Sequence, residues 1–282
     1  MLNTILQGIV QGLSEFLPIS SSGHLTLLQH FTGNNNLEAN MTTDIALHFG
    51  TLIAVFYYFR KDLLPYFTVS GWKDAERRRI ALLIIVASIP TALIGLGLKK
   101  QFEAMFSSPT AVCVALSITG ILLLVSEKLK KNSVNKDATA EGKQSSGSPT
   151  LSSLSYGKAI VTGVAQGIAC TPGISRSGST IAAGLLLGLK GDDAAKFSFL
   201  LMVPSVGGAT LLEVIKVIKN GKLAEGLVPT NLFVGAITAL VVGLLSLKLL
   251  TYIINKQKLS YFAYYLFAIS IVCISLIQFA GM

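Results

Sequence analysis

The sequence predicts an all-α polytopic membrane protein with about six transmembrane helices and two re-entrant helix-loop-helix hairpins, arranged as an inverted-topology repeat. Three observations support this prediction. The 282 residues are 51% hydrophobic and only 13% charged, and the mean hydropathy of +0.64 is too high for an ordinary soluble domain. Several apolar stretches have the roughly 20 residues that a spanning helix needs. Two similar polar motifs also occur far apart in the chain.

Six segments are long and apolar enough to cross a bilayer. They are residues 42–59, 79–98, 110–126, 195–218, 230–254 and 259–281. Two further apolar regions, 1–33 and 157–189, are interrupted by Gly, Pro and Ser, so each is expected to enter the membrane and return as a hairpin. Residues 127–156 are rich in Lys, Ser and Gly, and we expect a flexible cytoplasmic linker there.

The two halves on either side of this linker are expected to be copies of one unit. The text GIVQGLSEFLPISSSG from Gly8 aligns with GVAQGIACTPGISRSG from Gly163, and seven of the sixteen positions coincide. A single membrane domain, 1–282, then consists of repeat one, 1–126, and repeat two, 157–282. Each half has one hairpin and three spans, and this odd number of crossings requires the second half to be inverted.

The basic residues predict the orientation of the chain. One side of the membrane carries, besides the linker, Arg60, Lys61, Lys73, Arg77, Arg78, Arg79, Lys256 and Lys258. The positive-inside rule makes this side cytoplasmic, and it explains the net charge of +9 better than nucleic-acid binding does. The other side has fewer basic residues, and both termini are expected there. The hairpins then enter from opposite faces, and their tips meet to form one site.

Polar side chains in the first hairpin are the first candidates for function. A carboxylate at the centre of a membrane helix costs about 2.5–3.5 kcal/mol, so Glu15 needs a partner, a proton, a metal or water. Gln11 precedes it by four residues and shares its helix face. Pro18 ends that helix, and the Ser-Ser-Ser-Gly loop that follows can turn hydroxyl and N–H groups toward an anion. His24 is close enough in sequence to transfer a proton or to attack phosphorus.

The second motif, PGISRSG, brings Arg176 to membrane depth, where a guanidinium requires an anionic partner. Arginine suits phosphate because its planar fork donates two parallel hydrogen bonds. The predicted catalytic residues are Glu15, Ser21, His24 and Arg176. The predicted substrate-binding residues are Gln11, Ser20, Ser22, Gly23, Gly173, Ser175 and Ser177. Glu15 is also the predicted ligand of a divalent cation, Mg²⁺ or Ca²⁺.

Structural roles are the alternatives to these functional roles. Ser and Gly often only allow helices to approach closely, and Glu15 and Arg176 could simply neutralise each other as a buried ion pair. Asp44, His48 and Glu213 are each isolated in the sequence, and we expect structural or solvent-facing roles for them. Three cysteines without metal-site spacing are expected to be buried packing residues: Cys113, Cys170 and Cys273.

The text QGLSEFLPISSSGH, together with PGISRSGSTI and the GTLIAV that follows His48 and Phe49, resembles the undecaprenyl-diphosphate phosphatase family, also called the bacitracin-resistance family. The resemblance spans nearly the whole chain. It places the family's acidic motif on Gln11 and Glu15, its serine-histidine motif on Ser20 to His24, and its arginine motif on Ser175 to Ser177. Some members have glutamate where this chain has Gln11, which leaves Glu15 as the principal acid.

The resemblance implies a bacterial inner-membrane enzyme that removes the terminal phosphate of undecaprenyl diphosphate. Its product is the lipid carrier for peptidoglycan synthesis, and the activity gives bacitracin resistance. The attacking group is open among Ser21 with His24 as base, water, and His24 itself. The site is expected to open to the periplasmic or outer face. The expected partners are a polyprenyl diphosphate and membrane lipids, with a homodimer left open.

The main rival class is a transporter or a polyprenyl-phosphate flippase, because such proteins also place broken helices of inverted repeats at midplane. Hydrolysis needs Glu15, His24 and Arg176 near anion-binding loops, whereas transport of a neutral solute does not. An ion channel fits less well, because the intramembrane charges are few and gathered in the motifs.

Overall fold

The chain folds into helices only, over the residues that the computed structural model describes: 1–34, 36–139, 150–220, 226–255 and 258–279. Twelve α-helices lie in these ranges. They are α1 (Leu2–Ser14), α2 (Ser21–Phe31), α3 (Leu37–Tyr58), α4 (Arg60–Leu63), α5 (Ala75–Gly97), α6 (Lys99–Phe106), α7 (Pro109–Thr139), α8 (Tyr156–Ile168), α9 (Arg176–Leu186), α10 (Gly191–Asn220), α11 (Pro229–Asn255) and α12 (Ser260–Phe279). The prediction of an all-α protein is confirmed.

Five of the described helices are long and apolar enough to cross a membrane. These candidate spans are Ala75–Gly97, Pro109–Lys130, Gly191–Lys219, Pro229–Ile254 and Ser260–Phe279. They coincide with five of the six predicted spans, so the chain is a multi-pass membrane protein. The sixth, 42–59, is helical as part of α3, but it is not among the five. Its helix contains Asp44, His48 and several threonines, and the polar groups of α3 are largely buried against other helices rather than exposed to lipid.

The predicted linker, 127–156, is structured at both of its ends. Helix α7 continues to Thr139, well past the predicted end of the span at residue 126. On the far side of residues 140–149, which lie outside the described residues, Leu151 and Leu154 are buried. The guanidinium of Arg79 donates to the carbonyl oxygens of Ser152 and Leu154, which docks this end of the linker on α5.

Two short helix pairs, α1 with α2 and α8 with α9, carry the two motifs. In each pair the first helix ends where the chain turns, and the second begins at a serine cap. The two turns touch: the Ser177 hydroxyl donates to the Leu17 carbonyl oxygen over 3.2 Å. Phe16 also packs edge-on against Phe199 of α10, with ring centroids 5.6 Å apart. The motifs therefore come together inside the helical assembly, as the sequence predicts.

Candidate active site

Glu15 is the centre of the buried polar cluster. It caps the C-terminal end of α1, and its side chain is only 4% exposed. Its Oε1 accepts from Nη2 of Arg176 over 2.6 Å, and its Oε2 accepts from the Ser21 hydroxyl over 2.5 Å and from Nε2 of Gln11 over 3.1 Å. Nε2 of His48 lies 3.3 Å from the same Oε2 atom. The carboxylate thus has the partners that its burial requires.

Arg176 is the first residue of α9, and its side chain is 14% exposed. Besides the bond to Glu15, Nη1 donates to the Ser198 carbonyl oxygen over 3.2 Å. A guanidinium has five N–H groups, so these two bonds leave further donors for an anion. The sequence left open whether Glu15 and Arg176 form a buried ion pair, and the structure shows that they do. The pair also lines a cavity, which a purely structural pair has no need to do.

The two serine loops make the same hydrogen bonds. The Ser20 hydroxyl accepts from the Gly23 N–H over 3.2 Å, and the Ser175 hydroxyl accepts from the Gly178 N–H over 3.0 Å, so each serine caps its helix. Each capping hydroxyl also lies near the hydroxyl two residues later, at 3.3 Å for Ser22 and 3.2 Å for Ser177. These contacts are related by the 155-residue offset of the sequence alignment.

Ser21 and Arg176 occupy equivalent positions as the first residues of α2 and α9. The N-terminus of a helix carries unpaired N–H groups and a partial positive charge, which together favour an anion. Ser20, just before α2, has a φ of 70°, and in the described chain it is the one residue other than glycine with a positive φ. Such a backbone costs about 1–3 kcal/mol and is concentrated at functional sites.

A cavity of about 260 Å³ lies in front of these helix ends and is called the active-site cavity below. Its polar lining residues include Glu15, Ser20, Ser21, Ser22, His48, Thr91, Gln166, Ser175, Arg176 and Thr210. Its apolar lining residues include Ile45, Phe106, Ala169, Ile174, Val206 and Ala209. The cavity therefore offers polar groups to a charged ligand and apolar surface to a hydrocarbon chain.

Four predicted substrate-binding residues do not line this cavity: Gln11, Gly23, Gly173 and Ser177. Gln11 is fully buried behind Glu15 and holds it. Gly173 has a φ of +91°, and a side chain there would lie 2.5 Å from the Val112 carbonyl oxygen, so only glycine fits. These residues shape the site rather than contact the cavity.

His24 is turned away from the active-site cavity. Its Nδ1 lies 2.8 Å from the Ser20 carbonyl oxygen, and its Nε2 lies 2.7 Å from the Tyr265 hydroxyl. It is not among the residues that line the cavity. This geometry lets His24 fix the strained backbone at Ser20, and its two ring nitrogens face Ser20 and Tyr265 rather than Glu15 or Ser21.

His48 takes the place beside Glu15 that the sequence suggested for His24. The sequence suggests a structural or solvent-facing role for His48, but α3 turns its ring toward Glu15 and into the lining of the active-site cavity. Nδ1 lies 2.7 Å from the Asp44 carbonyl oxygen, which can only accept, so Nδ1 carries a hydrogen. The contact between Nε2 and a carboxylate oxygen then requires a second proton, held by His48 or by Glu15.

The other two residues that are isolated in the sequence, Asp44 and Glu213, have partners in the structure. Asp44 accepts from Nε2 of Gln29 over 2.8 Å, and Glu213 accepts from the Thr42 hydroxyl over 3.0 Å. Glu213 also lies 3.7 Å from Nζ of Lys216, which agrees with a structural role. Cys170 departs from the prediction for the cysteines, because it is exposed and lines the active-site cavity.

Gln166 is a site residue that the sequence analysis missed. It is 1% exposed, its Nε2 donates to the Thr91 hydroxyl over 3.2 Å, and its Oε1 is buried without a hydrogen-bond partner among the described residues. The repeat held the necessary information, since Gln166 is the equivalent of Gln11 in the aligned motifs.

The surroundings of Glu15 do not fit a metal ion. Both carboxylate oxygens already receive donors, one of them a guanidinium, whose charge repels a cation. Across the described residues, no group of three or more His, Cys, Asp or Glu side chains could hold a metal together. The described partners of Glu15 are Arg176, Ser21, Gln11 and His48, and none of them is a second carboxylate.

The fold and the site together define a polytopic membrane protein with a buried polar cavity suited to an anionic lipid. The profile described as "Bacitracin resistance protein BacA" matches residues 4–272, and the chain belongs to this family. A protein named undecaprenyl-diphosphatase from Halothermothrix orenii is 42% identical over 96% of both chains. One of the same name from Desulfosudis oleivorans is 40% identical over 93% of both chains.

Proposed function

We propose that this protein hydrolyses undecaprenyl diphosphate to undecaprenyl phosphate and inorganic phosphate. The observation that carries the proposal is the meeting of Arg176, Glu15 and Ser21 at two helix N-termini in one cavity. The substrate is the one named for the relatives, which are undecaprenyl-diphosphatases. The activity recycles the lipid carrier for peptidoglycan synthesis and gives bacitracin resistance, the property for which the family is named.

The terminal phosphate binds where Arg176 and the starts of α2 and α9 meet in the active-site cavity. There the remaining N–H groups of Arg176 and the first N–H groups of α2 and α9 can donate to its oxygens. The polyprenyl chain packs against apolar lining residues, which include Val206 and Ala209. This arrangement neutralises the charge that develops on phosphorus.

Ser21 is the nucleophile that the geometry favours. Its Oγ attacks the terminal phosphorus while Glu15 takes the hydroxyl proton across their 2.5 Å hydrogen bond. The bond from phosphorus to the bridging oxygen breaks, undecaprenyl phosphate leaves, and a phosphoserine remains. Water then hydrolyses the phosphoserine to inorganic phosphate and restores the hydroxyl. His48 shares the proton of Glu15 through the 3.3 Å contact.

Helix packing supports an inverted repeat of two halves with re-entrant helix pairs. A side chain at Gly8 of α1 would lie 2.6 Å from a carbonyl oxygen of α11, at Gly235. At the aligned Gly163 of α8 it would clash with a carbonyl oxygen of α5, at Ala87. Helices α5 and α11 are equivalent, because α5 is the second long helix after α2 and α11 is the second long helix after α9. The first helix of each half therefore packs on the equivalent helix of the other half.

The cavity position supports an opening to the outer face of the bacterial inner membrane. The N-terminal end of α5 is basic and includes Arg77. At this end, Asp62 of α4 and Lys196 near the start of α10 form an ion pair, with their charged atoms 2.6 Å apart. Thr91 and Thr210 line the cavity, and each lies in the C-terminal half of its helix, α5 or α10, away from this basic end. The positive-inside rule makes the Arg77 end cytoplasmic, so the cavity faces outward.

The proposal is tested by measuring phosphate release from C55 diphosphate by the detergent-purified protein. Wild type should release phosphate, and Ser21→Ala and Arg176→Ala should not. Ser88→Ala is a matched control, because this hydroxyl only bonds back to Ile84 within α5. Wild type that is folded but inactive across several lipids and cations would contradict the proposal and would favour the transporter or flippase alternative.

A further inference from the structure

Gln166 of α8 is a buried residue of the active-site cavity to which the proposed reaction gives no role. It is 1% exposed, and its counterpart in the first motif is Gln11. Gln11 does not line the cavity, and its Nε2 donates to Glu15. Gln166 does line the cavity, and the position four residues after it holds Cys170 instead of a carboxylate. Gln166 therefore does not hold an acid in place, as Gln11 does.

The hydrogen bonds of Thr91 fix the orientation of the Gln166 amide. The Thr91 hydroxyl lies 3.0 Å from the Ala87 carbonyl oxygen and 2.9 Å from the Gly163 carbonyl oxygen, and both of these atoms can only accept. The single hydrogen of this hydroxyl is therefore used, so the hydroxyl accepts from Nε2 of Gln166 over 3.2 Å. The other end of the amide, the acceptor Oε1, has no hydrogen-bond partner among the described residues.

The open Oε1 atom of Gln166 requires a hydrogen-bond donor, because it is a buried acceptor. The oxygens of an ionised phosphate only accept hydrogen bonds, so the substrate's phosphates do not supply this donor. The hydroxyl of Thr210, which also lines the cavity, is likewise buried without a partner among the described residues. Water both donates and accepts, and buried water typically binds polar groups that are otherwise unsatisfied. The ligand that fits an amide oxygen and a hydroxyl is therefore water.

We propose that Gln166 is the positioning residue for the water that hydrolyses the phosphoserine intermediate, with the Thr210 hydroxyl as the second contact of that water. The inference rests on the proposed function, in which Ser21 carries the phosphate between the two steps. A neutral amide neither takes nor gives a proton, so its contribution is to hold the water oxygen toward phosphorus. Glutamine orients the attacking water in the same way in GTPases.

The hydrolytic step needs no other reactant. The water oxygen forms a bond to phosphorus, and the bond from phosphorus to Oγ of Ser21 breaks. Glu15 returns to this Oγ the proton that it took in the first step, across the same 2.5 Å hydrogen bond. One hydrogen of the water stays on the phosphate, and the other leaves to solvent as a proton. Loss of the Gln166 amide oxygen therefore slows this second step and leaves the chemistry of the first step in place.

The test is a rapid-quench time course on the detergent-purified full chain with C55 diphosphate labelled in its terminal phosphate. Phosphoserine survives an acid quench, and phosphoserine, undecaprenyl phosphate and inorganic phosphate are each measured. Gln166→Met keeps the length of the side chain and removes Oε1. This variant should release undecaprenyl phosphate in a stoichiometric burst and accumulate phosphoserine. Its steady-state phosphate release should fall by about 10²-fold, because the water is misplaced.

Two other glutamines provide matched variants with the same chemical change. Gln278→Met alters an exposed residue near the end of α12 and should match wild type in both steps. Gln11→Met removes a donor to Glu15, so it should slow the formation of phosphoserine and accumulate none. Opposite effects at the two aligned glutamines separate a role in water attack from general weakening of the fold, which lowers both steps together.

Wild-type dephosphorylation by Gln166→Met, or equal slowing of both steps, overturns the inference. If Gln166→Met does not fold, Thr210→Val takes its place, since it keeps the shape of the side chain and removes the hydroxyl. Turnover by Thr210→Val without accumulated phosphoserine then overturns the inference. Phosphate release by wild type with no phosphoserine in any variant also overturns it and leaves the phosphatase proposal intact. A folded wild type that releases no phosphate contradicts the phosphatase proposal, and this inference fails with it.

Discussion

The hydroxyl of Ser21 donates to Oε2 of Glu15 over 2.5 Å, across the turn that joins α1 to α2. The two residues are six positions apart, and the turn ends one helix at the carboxylate and begins the next at the hydroxyl. A base and a nucleophile are thus brought together by local chain geometry. Arg176 comes from the other half of the chain and completes the group.

This contact predicts different losses for its two members. Ser21→Ala removes the nucleophile and should abolish phosphoserine formation. Glu15→Gln keeps the shape of the side chain but cannot take the proton, and it should lower turnover by about 10²–10⁴-fold. Substrate labelled in its terminal phosphate measures the intermediate, if parallel samples are quenched in acid, in which phosphoserine survives, and in alkali, in which phosphohistidine survives, and the Ser21 and His24 peptides are then identified by mass spectrometry. A labelled His24, or unlabelled protein at full turnover, would contradict Ser21 as the nucleophile.

The buried pair of Glu15 and Arg176 predicts a separation of stability from activity. Arg176→Met removes the guanidinium partner of the buried Glu15 carboxylate, and breaking a buried ion pair costs about 3–5 kcal/mol of unfolding free energy. Adding Glu15→Gln removes that charge and should recover most of the loss in Tm. Phosphate release should be absent from both the single and the double variant.

A purely structural pair predicts the opposite result for the double variant. With stability restored, it would regain turnover, and the catalytic assignment would then be wrong. Thermal unfolding in detergent and phosphate release on the same preparations separate the two outcomes.

Much of this site follows from the sequence. The parts that do not follow from it are those set by helix packing. Glu15 and Arg176 are predictable because an ionised group at membrane depth requires a reason, and the serine caps are predictable from the repeated motif. His48 is not, since its role depends on which face of α3 meets α1. The same limit explains why α3 falls short of the hydropathy of a span: its polar residues contact protein rather than lipid.

The positions of the two histidines predict unequal effects on turnover. His48→Gln keeps a donor near Glu15 but cannot exchange a proton, so turnover should fall by about 10²-fold. His24→Phe removes the bonds to Ser20 and Tyr265, and its effect should be smaller. Tyr265→Phe is the matched control, because it removes one of these two bonds and leaves the imidazole in place. Greater loss in His24→Phe than in His48→Gln would return the catalytic role to His24.

The cysteines predict where the lipid binds. Cys170 is exposed and lines the active-site cavity, whereas Cys113 and Cys273 are buried and serve as internal controls. A maleimide should therefore label Cys170 first, and Cys170→Ser should abolish this fast labelling.

A non-hydrolysable polyprenyl diphosphonate should slow the labelling of Cys170, because its head group occupies the cavity and its chain passes Ala169 and Val206. Undecaprenol, which lacks phosphate, should protect less, since it cannot bind Arg176. Equal labelling rates with and without the diphosphonate would mean that the lipid binds elsewhere, and the active-site cavity would lose its assignment even if the protein hydrolyses the substrate.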